Sequence, residues 1–185
     1  TITTTGDQSV CLGQSAVIGA AGATTYQWTP STYLNNTTSS TVTSTPQSTQ
    51  TYTVTGTSAA GCTGSTTVTV TVNPNPLVAY PANPTLCLGD DTVITITGAQ
   101  YYSWTPTIGI IQNNPEYSVV TVSPQTTTLY TVTGYSAEGC SATISFTVTV
   151  NPNPVPVVGS NSPQCAGSAI NLSSTGGTIY SWTGP

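Results

Sequence analysis

Cys11-Leu-Gly13, Cys87-Leu-Gly89 and Cys165-Ala-Gly167 each stand 17 residues before a tryptophan, at Trp28, Trp104 and Trp182. A spacing kept three times says that this chain is one structural unit repeated. The same offset aligns Tyr26-Gln-Trp28-Thr-Pro30 with Tyr102-Ser-Trp104-Thr-Pro106 and Tyr180-Ser-Trp182-Thr183, and further along it aligns Tyr52-Thr-Val-Thr55 with Tyr130-Thr-Val-Thr133. Two units then close with Gly61-Cys62 or Gly139-Cys140, a Thr/Val run, and Asn-Pro-Asn-Pro at Asn73 to Pro76 and Asn151 to Pro154. The period is 76 residues from Cys11 to Cys87 and 78 from Cys87 to Cys165, the extra two falling between the Trp and the next aligned Pro, Pro46 or Pro124. Residues 1–75 are read as the first repeat, with its first strand open to being incomplete, 76–153 as the second, and 154–185 as the N-terminal part of a third. Each full repeat carries two cysteines and the third only Cys165, which accounts for the odd total of five. Cys165 is expected to have its partner outside this stretch, and the chain to be a window onto a longer polypeptide.

Within a unit the apolar period is two. Thr67-Val-Thr-Val-Thr-Val72, Ser145-Phe-Thr-Val-Thr-Val150 and Val93-Ile-Thr-Ile-Thr97 alternate an apolar side chain with Thr, the pattern of a half-buried antiparallel strand. Clusters of Gly, Pro, Asn and Ser separate such runs every ~8–12 residues, and no stretch has a helical stripe or helix caps. About seven short strands in a unit of this size point to an all-β chain of tandem immunoglobulin-like β-sandwich repeats in an elongated array. On that template Ser15 to Ala21 and Thr92 to Thr97 form strand B, and the Tyr-x-Trp segments form strand C. Trp28, Trp104 and Trp182 then fall in the core between the sheets. Tyr52 and Tyr130 are core residues opening strand F, placed for a hydroxyl to pin the E–F corner. Gly61-Cys62 and Gly139-Cys140 close the F–G hairpin. Proline fixes its own backbone angle and favours extension before it, so the Asn-Pro-Asn-Pro joints are expected to be short and stiff.

The cysteines admit two pairings. Small secreted domains use internal disulfides, which would join Cys11 to Cys62 and Cys87 to Cys140 within repeats. The strand placement opposes this, because the first Cys precedes strand B at one end of a sandwich and the second lies at the other, roughly 25 Å away. A disulfide needs Cα atoms within about 7 Å. The other pairing has Cys140, at the leading end of the second repeat, bridging back to Cys11 at the trailing end of the first and locking the repeats into a rod, and both pairings stay open on the sequence.

The chain has no Lys, Arg or His and five acidic residues, a net charge of −5. Nucleic acid and anionic membrane surfaces draw their affinity from basic side chains, so neither is an expected partner. No run approaches the ~18 apolar residues of a membrane span, so direct membrane insertion is not expected either. Catalysis by His, Lys or Arg has no residue to perform it, and serine nucleophiles lack a base. The acids are Asp7, Asp90, Asp91, Glu116 and Glu138, and only Asp90 and Asp91 adjoin. Neighbours on a strand face opposite ways and make a poor acid–base pair; a solvated turn before strand B suits them better. Calcium at a domain junction asks for six to eight oxygen ligands, and the first unit has Gln14-Ser15 at the matching place. The cysteines have no CxxC spacing for zinc. No cofactor, metal or enzymatic activity is expected.

Cys-x-Gly, Tyr-x-Trp-Thr-Pro, Thr-Tyr-Thr-Val-Thr, Gly-Cys and the closing Thr-Val-Thr-Val-Asn-Pro together resemble the Ig-like or PKD-like repeats of large Bacteroidota surface proteins, including gliding-motility adhesins of the SprB type. The resemblance covers nearly the whole chain. It implies export by the type IX secretion system and display at the cell surface as a long filament. The implied partners are a substratum or surface polysaccharide, other copies of the repeat in the same chain, and outer-membrane secretion or motility machinery. Asp91-Thr92-Val93 resembles the O-glycosylation signal of that phylum, making Thr92 a candidate site, and Asn35-Asn36-Thr37-Thr38 and Asn171-Leu-Ser173 match the N-glycosylation sequon.

The leading functional reading is the structural and adhesive shaft of an extracellular surface filament. A carbohydrate-binding module is the alternative, and it would need exposed aromatics on one face, for which Tyr33, Tyr80, Tyr101, Tyr117 and Tyr135 are candidates because they do not recur between units. A non-catalytic spacer in a large secreted enzyme is the third.

Overall fold

The computed structural model describes residues 1–80, 82–112 and 118–184, and of Gln112 only the backbone. Glu116 and Tyr117 lie outside the described residues.

The described residues are all-β. The first unit has seven strands: β1 (Thr3–Thr4), β2 (Gln8–Cys11), β3 (Ala16–Ala21), β4 (Thr25–Thr29), β5 (Thr41–Ser44), β6 (Gln50–Thr57) and β7 (Thr63–Asn73). They form a three-stranded sheet β1-β3-β5 facing a four-stranded sheet β2-β7-β6-β4. Alternation along each strand sends one face inward: Ala16 and Ile18, Val42 and Ser44, Tyr52 and Val54, Val68 and Val70 are all buried. Trp28 on β4 is fully buried among them. A buried Val or Ile contributes about 1.5–3 kcal/mol, so this short list supplies most of what holds the unit closed.

The alternate positions on β6 and β7 are Thr and Ser, and they face outward. There Thr51 and Thr69 share a hydroxyl hydrogen bond of 3.1 Å across strands, as Thr131 and Ser145 do at 3.0 Å in the second unit. Such cross-strand pairs add a few tenths of a kcal/mol without any charge.

The chain's entry into the unit follows no apolar signal. Residues Thr3 and Thr4 pair antiparallel with β3, and the chain then changes sheets so that Gln8 to Cys11 run parallel to β7, with Cys11 opposite Asn73. The turn between the two passes through Gly6 at φ 85°.

The second unit repeats the plan with β8 (Thr85–Cys87), β9 (Thr92–Thr95), β10 (Tyr101–Thr105), β11 (Ile110–Gln112), β12 (Val119–Val122), β13 (Thr128–Tyr135) and β14 (Ser141–Asn151). Its sheets are β11-β12-β9 and β10-β13-β14-β8. The first short strand is reduced to an Ala79–Thr97 bridge, and β8 runs parallel to β14 with Cys87 opposite Asn151. The core gathers Ile94, Ile96, Trp104, Val120, Val122, Tyr130, Val132, Phe146 and Val148. Phe146 meets Trp104 edge-on at 5.9 Å between ring centroids. Every member of each core comes from its own unit.

Among the described residues beyond Asn151 there is one hairpin, β15 (Val157–Ser160) with β16 (Leu172–Thr175). Trp182, expected in a core, is instead 51% exposed, and Tyr180 beside it 37%. In the whole units the tryptophan's strand pairs with β6 or β13 and its ring packs in the buried cluster with residues of the facing sheet, whereas residues 154–184 form only the one hairpin.

Tyr52 and Tyr130 are fully buried, and the Tyr52 hydroxyl reaches Ser44, the last residue of β5 before the corner that leads into β6, whereas the Tyr130 hydroxyl bonds away from that corner. Tyr52 Oη donates to Thr32 O at 3.0 Å and shares a 2.8 Å hydrogen bond with Ser44 Oγ, while Tyr130 Oη donates to Ile108 O at 2.7 Å. Each ring points inward from its strand, so the hydroxyl emerges on the opposite side of the core and holds the connection that follows the Trp strand. Burial pushes the Tyr130 phenol above its ordinary value, and does the same to Tyr80.

Candidate functional site

The structure joins Cys11 to Cys140, across the boundary between the units, with Cα atoms 5.4 Å apart. The pairings within repeats, Cys11 to Cys62 and Cys87 to Cys140, are therefore not formed. The reason is the one-way run of each unit: the first cysteine ends β2 or β8, whereas the second follows the hairpin at the far end of the neighbouring strands. Cys62, Cys87 and Cys165 are free and exposed.

Two local structures present these cysteines. At the first, the carbonyl of Cys11 accepts from Gln14 N at 2.9 Å, closing a turn with Gly13 at φ 88° in its third position. That position of a type II turn requires positive φ, which is why the motif reads Cys-x-Gly. The carbonyl of Cys87 accepts from Asp90 N at 3.0 Å over Gly89 in the same way. At the second, Gly61 N donates to Ser58 O and Ser58 N to Cys62 O, both at 2.9 Å, with Gly61 at φ 82°. This is the three-residue hairpin in which a type I turn is followed by a left-handed glycine. Ser136, Gly139 and Cys140 repeat it, and the serine hydroxyl accepts from the cysteine N–H at 3.2 Å in one unit and 3.3 Å in the other.

The Asn-Pro-Asn-Pro joint is held to the unit before it. Asn73 O accepts from Leu12 N at 2.9 Å, and Asn75 Nδ2 donates to Leu12 O at 3.3 Å. Asn151 and Asn153 treat Leu88 identically, each bond at 2.9 Å. One asparagine backbone and one asparagine side chain thus satisfy both polar groups of the residue after the cysteine, while the prolines have no N–H to leave unpaired. Pro74, Asn75 and Pro76 also line a cleft of about 450 Å³ whose other wall is Gly98, Ala99 and Ser136 of the second unit. Strand end, linker and disulfide meet at one place.

Glycines shape the entry to each unit. Gly22, Gly98 and Gly176 have φ of 97°, 96° and 90°, and a Cβ on them would stand 2.2, 1.8 and 2.1 Å from the carbonyl oxygens of Thr1, Leu77 and Val155. The first residues of each unit lie against a backbone that no side chain can occupy. These glycines share the repeat period, which makes them legible in the sequence itself.

The other candidates are dispersed. Asp90 and Asp91 lie in the exposed turn before β9, and Asp7 Oδ1 accepts from Thr69 N at 2.8 Å, the place Asn83 takes toward Thr147 N at 3.0 Å. Asp7 therefore closes a strand edge. Thr92 is half-buried as the first residue of β9, opposite Val122. Asn35 Oδ1 and Asn36 Oδ1 accept from Thr43 N and Thr38 N at 2.8 and 2.7 Å, so both sequon side chains there serve the loop. Among the tyrosines, Tyr101 and Tyr135 stack at 4.9 Å on the outer face of β10 and β13, Tyr80 packs on Phe146, and Tyr33 is exposed on the first unit at φ 65°. They do not gather on one face.

No helix among the described residues is long and apolar enough to cross a membrane. No family model matches the chain, and no curated protein is similar to it. Among solved structures, it is similar to extracellular domains 3–5 of Drosophila OTK, at 14% identity over 82% of this chain and 62% of that one, with a TM-score of 0.51. Titin domains I67–I69 match over 94% of this chain and 76% of that one, at 17% identity and a TM-score of 0.45. The chain thus spans less than two thirds of the OTK structure, and what the likeness shows is the fold, an immunoglobulin-like β-sandwich.

Proposed function

We infer that this chain is a non-catalytic stretch of the shaft of a long extracellular surface filament, structural first and adhesive through repetition. The observation that carries this reading is the Cys11–Cys140 disulfide, which gives neighbouring units a second covalent connection beside the short proline-containing linker. A hinge tied at two points loses most of its freedom, and an oxidising exterior keeps such a tie formed. The surface fits the role: Thr and Ser hydroxyls cover the outer sheet faces, and no Lys or Arg offers a site to trypsin-like proteases. Weak contacts of such a neutral surface with a substratum or polysaccharide gain strength from many copies in one chain. The repeat motifs set the finer reading, a Bacteroidota attachment or gliding-motility adhesin exported by the type IX route.

The test is a distance distribution between spin labels placed on exposed Thr55 and Thr143, one in each unit. A narrow distribution that broadens on reduction supports the shaft; one equally broad before and after reduction overturns it. The stacked Tyr101–Tyr135 pair favours a second reading, carbohydrate binding. Titration of the chain with soluble polysaccharides, following tyrosine fluorescence and comparing Tyr101→Ala, separates the two: saturable binding lost in the variant selects the second.

A further inference from the structure

Cys62 and Cys87 are exposed thiols, and each is the repeat counterpart of a bonded residue. Cys62 follows the same Ser-x-x-Gly hairpin as Cys140, with matching backbone bonds and the same positive φ at the preceding glycine. Cys87 ends β8 opposite Asn151, as Cys11 ends β2 opposite Asn73. What differs is the cover. Cys140 is fully buried, lying against the joint where Asn73 O is 3.8 Å from its sulfur, while Cys62 is open to solvent.

The surroundings of Cys62 repeat as well. A cleft of about 150 Å³ beside it is lined by Gly22, Ala23 and Ser58, the counterparts of Gly98, Ala99 and Ser136. In the second unit that wall is faced by Pro74, Asn75 and Pro76, the linker that delivers the first unit. In the first unit the cleft is bordered by Thr1 and Ile2, the counterparts of Leu77 and Val78.

We propose that Cys62 and Cys87 are the two unfilled halves of the Cys11–Cys140 junction. Cys62 takes the strand-end cysteine of a like unit ahead of it, and Cys87 the hairpin cysteine of a like unit behind it. The partner is another copy of this same repeat. The two halves are unlike, so the contact is head-to-tail and does not close on itself, which lets it continue from unit to unit. Two thiols lose their protons and two electrons as one S–S bond forms, and a disulfide oxidant such as oxidised glutathione is reduced to two thiols in exchange. The proposal deepens the shaft reading and rests on its inter-unit tie.

Each unit's core is closed within the unit, so units can be recombined. Residues 1–154, followed by a second copy of residues 77–154, supply a like unit at the natural spacing behind Cys87. After oxidation by a glutathione couple, non-reducing peptide mapping should find Cys11 joined to Cys140 and Cys87 joined to the appended counterpart of Cys140. Maleimide should then label only Cys62 and the appended counterpart of Cys87. In the same chain carrying Cys87→Ser, the appended hairpin cysteine should become reactive. If Cys11–Cys140 forms while Cys87 stays reactive, or pairs with Cys62, the proposal is overturned and the shaft reading survives. If Cys11–Cys140 does not form, both fall.

Discussion

Cys11 and Cys140 are 129 residues apart in the chain and 5.4 Å apart at their Cα atoms. The bond therefore closes a loop holding most of both units. Replacing Cys11 by Ser should lower the stability of the unit that unfolds first by about 2–4 kcal/mol, because the released chain gains conformational freedom when unfolded. Urea unfolding of wild type and variant, with and without reductant, checks this; reductant should abolish the difference.

The Tyr52 hydroxyl serves a carbonyl and a fully buried serine at once. Tyr52→Phe removes it and leaves Thr32 O and Ser44 Oγ without that partner, at an expected cost of about 1–3 kcal/mol. Tyr52→Phe with Ser44→Ala should recover part of the loss, since the buried serine no longer goes unsatisfied. A double-mutant cycle in urea reads the coupling.

Burial holds the Tyr80 and Tyr130 phenols above the ordinary tyrosine value of 10.0. The unfolded chain therefore gives up these protons first. Stability tied to the two groups should be intact below about pH 10 and decline as pH rises from there toward the folded values. Urea midpoints between about pH 8 and about pH 11 should fall, and Tyr130→Phe should flatten the slope.

Two glycines with the same φ should respond unequally to alanine. At Gly98 the new Cβ would meet Leu77 O at 1.8 Å, so the entry strand must move and the cost should exceed about 2 kcal/mol. At Gly89, also at φ 96°, nothing lies within 4 Å, and the cost should be the backbone strain alone, about 1 kcal/mol. Thermal unfolding of the two variants gives the comparison.

The two sandwiches were legible where burial leaves a chemical trace. Trp28, Trp104, Tyr52 and Tyr130 repeat, and the Thr/Val alternation marks β7 and β14. The strands that carry the site left less trace. Gln8–Cys11 and Thr85–Cys87 are too short for a period, and their parallel pairing with β7 and β14 is a tertiary outcome that alternation does not encode. The tyrosine hydroxyls could be expected to bond, but which carbonyl they meet depends on loops around Thr32 and Ile108. Trp182 carries the same motif but is exposed, because a core residue is buried only where two sheets close over it and residues 154–184 form one hairpin.

The register that sets Cys11 opposite Asn73 has a mechanical meaning. Both are the last residues of parallel neighbouring strands, and both carry a covalent connection to the second unit, one through sulfur and one through the backbone. Tension arriving from that side pulls the two strands in the same direction and does not slide one past the other. With the disulfide cut, the whole force enters through β7 while β2 stays anchored to the N-terminal side, and the four-residue parallel pair is put in shear. The bridge thus changes which hydrogen bonds are strained when the chain is stretched, and places the force on the pair as a whole.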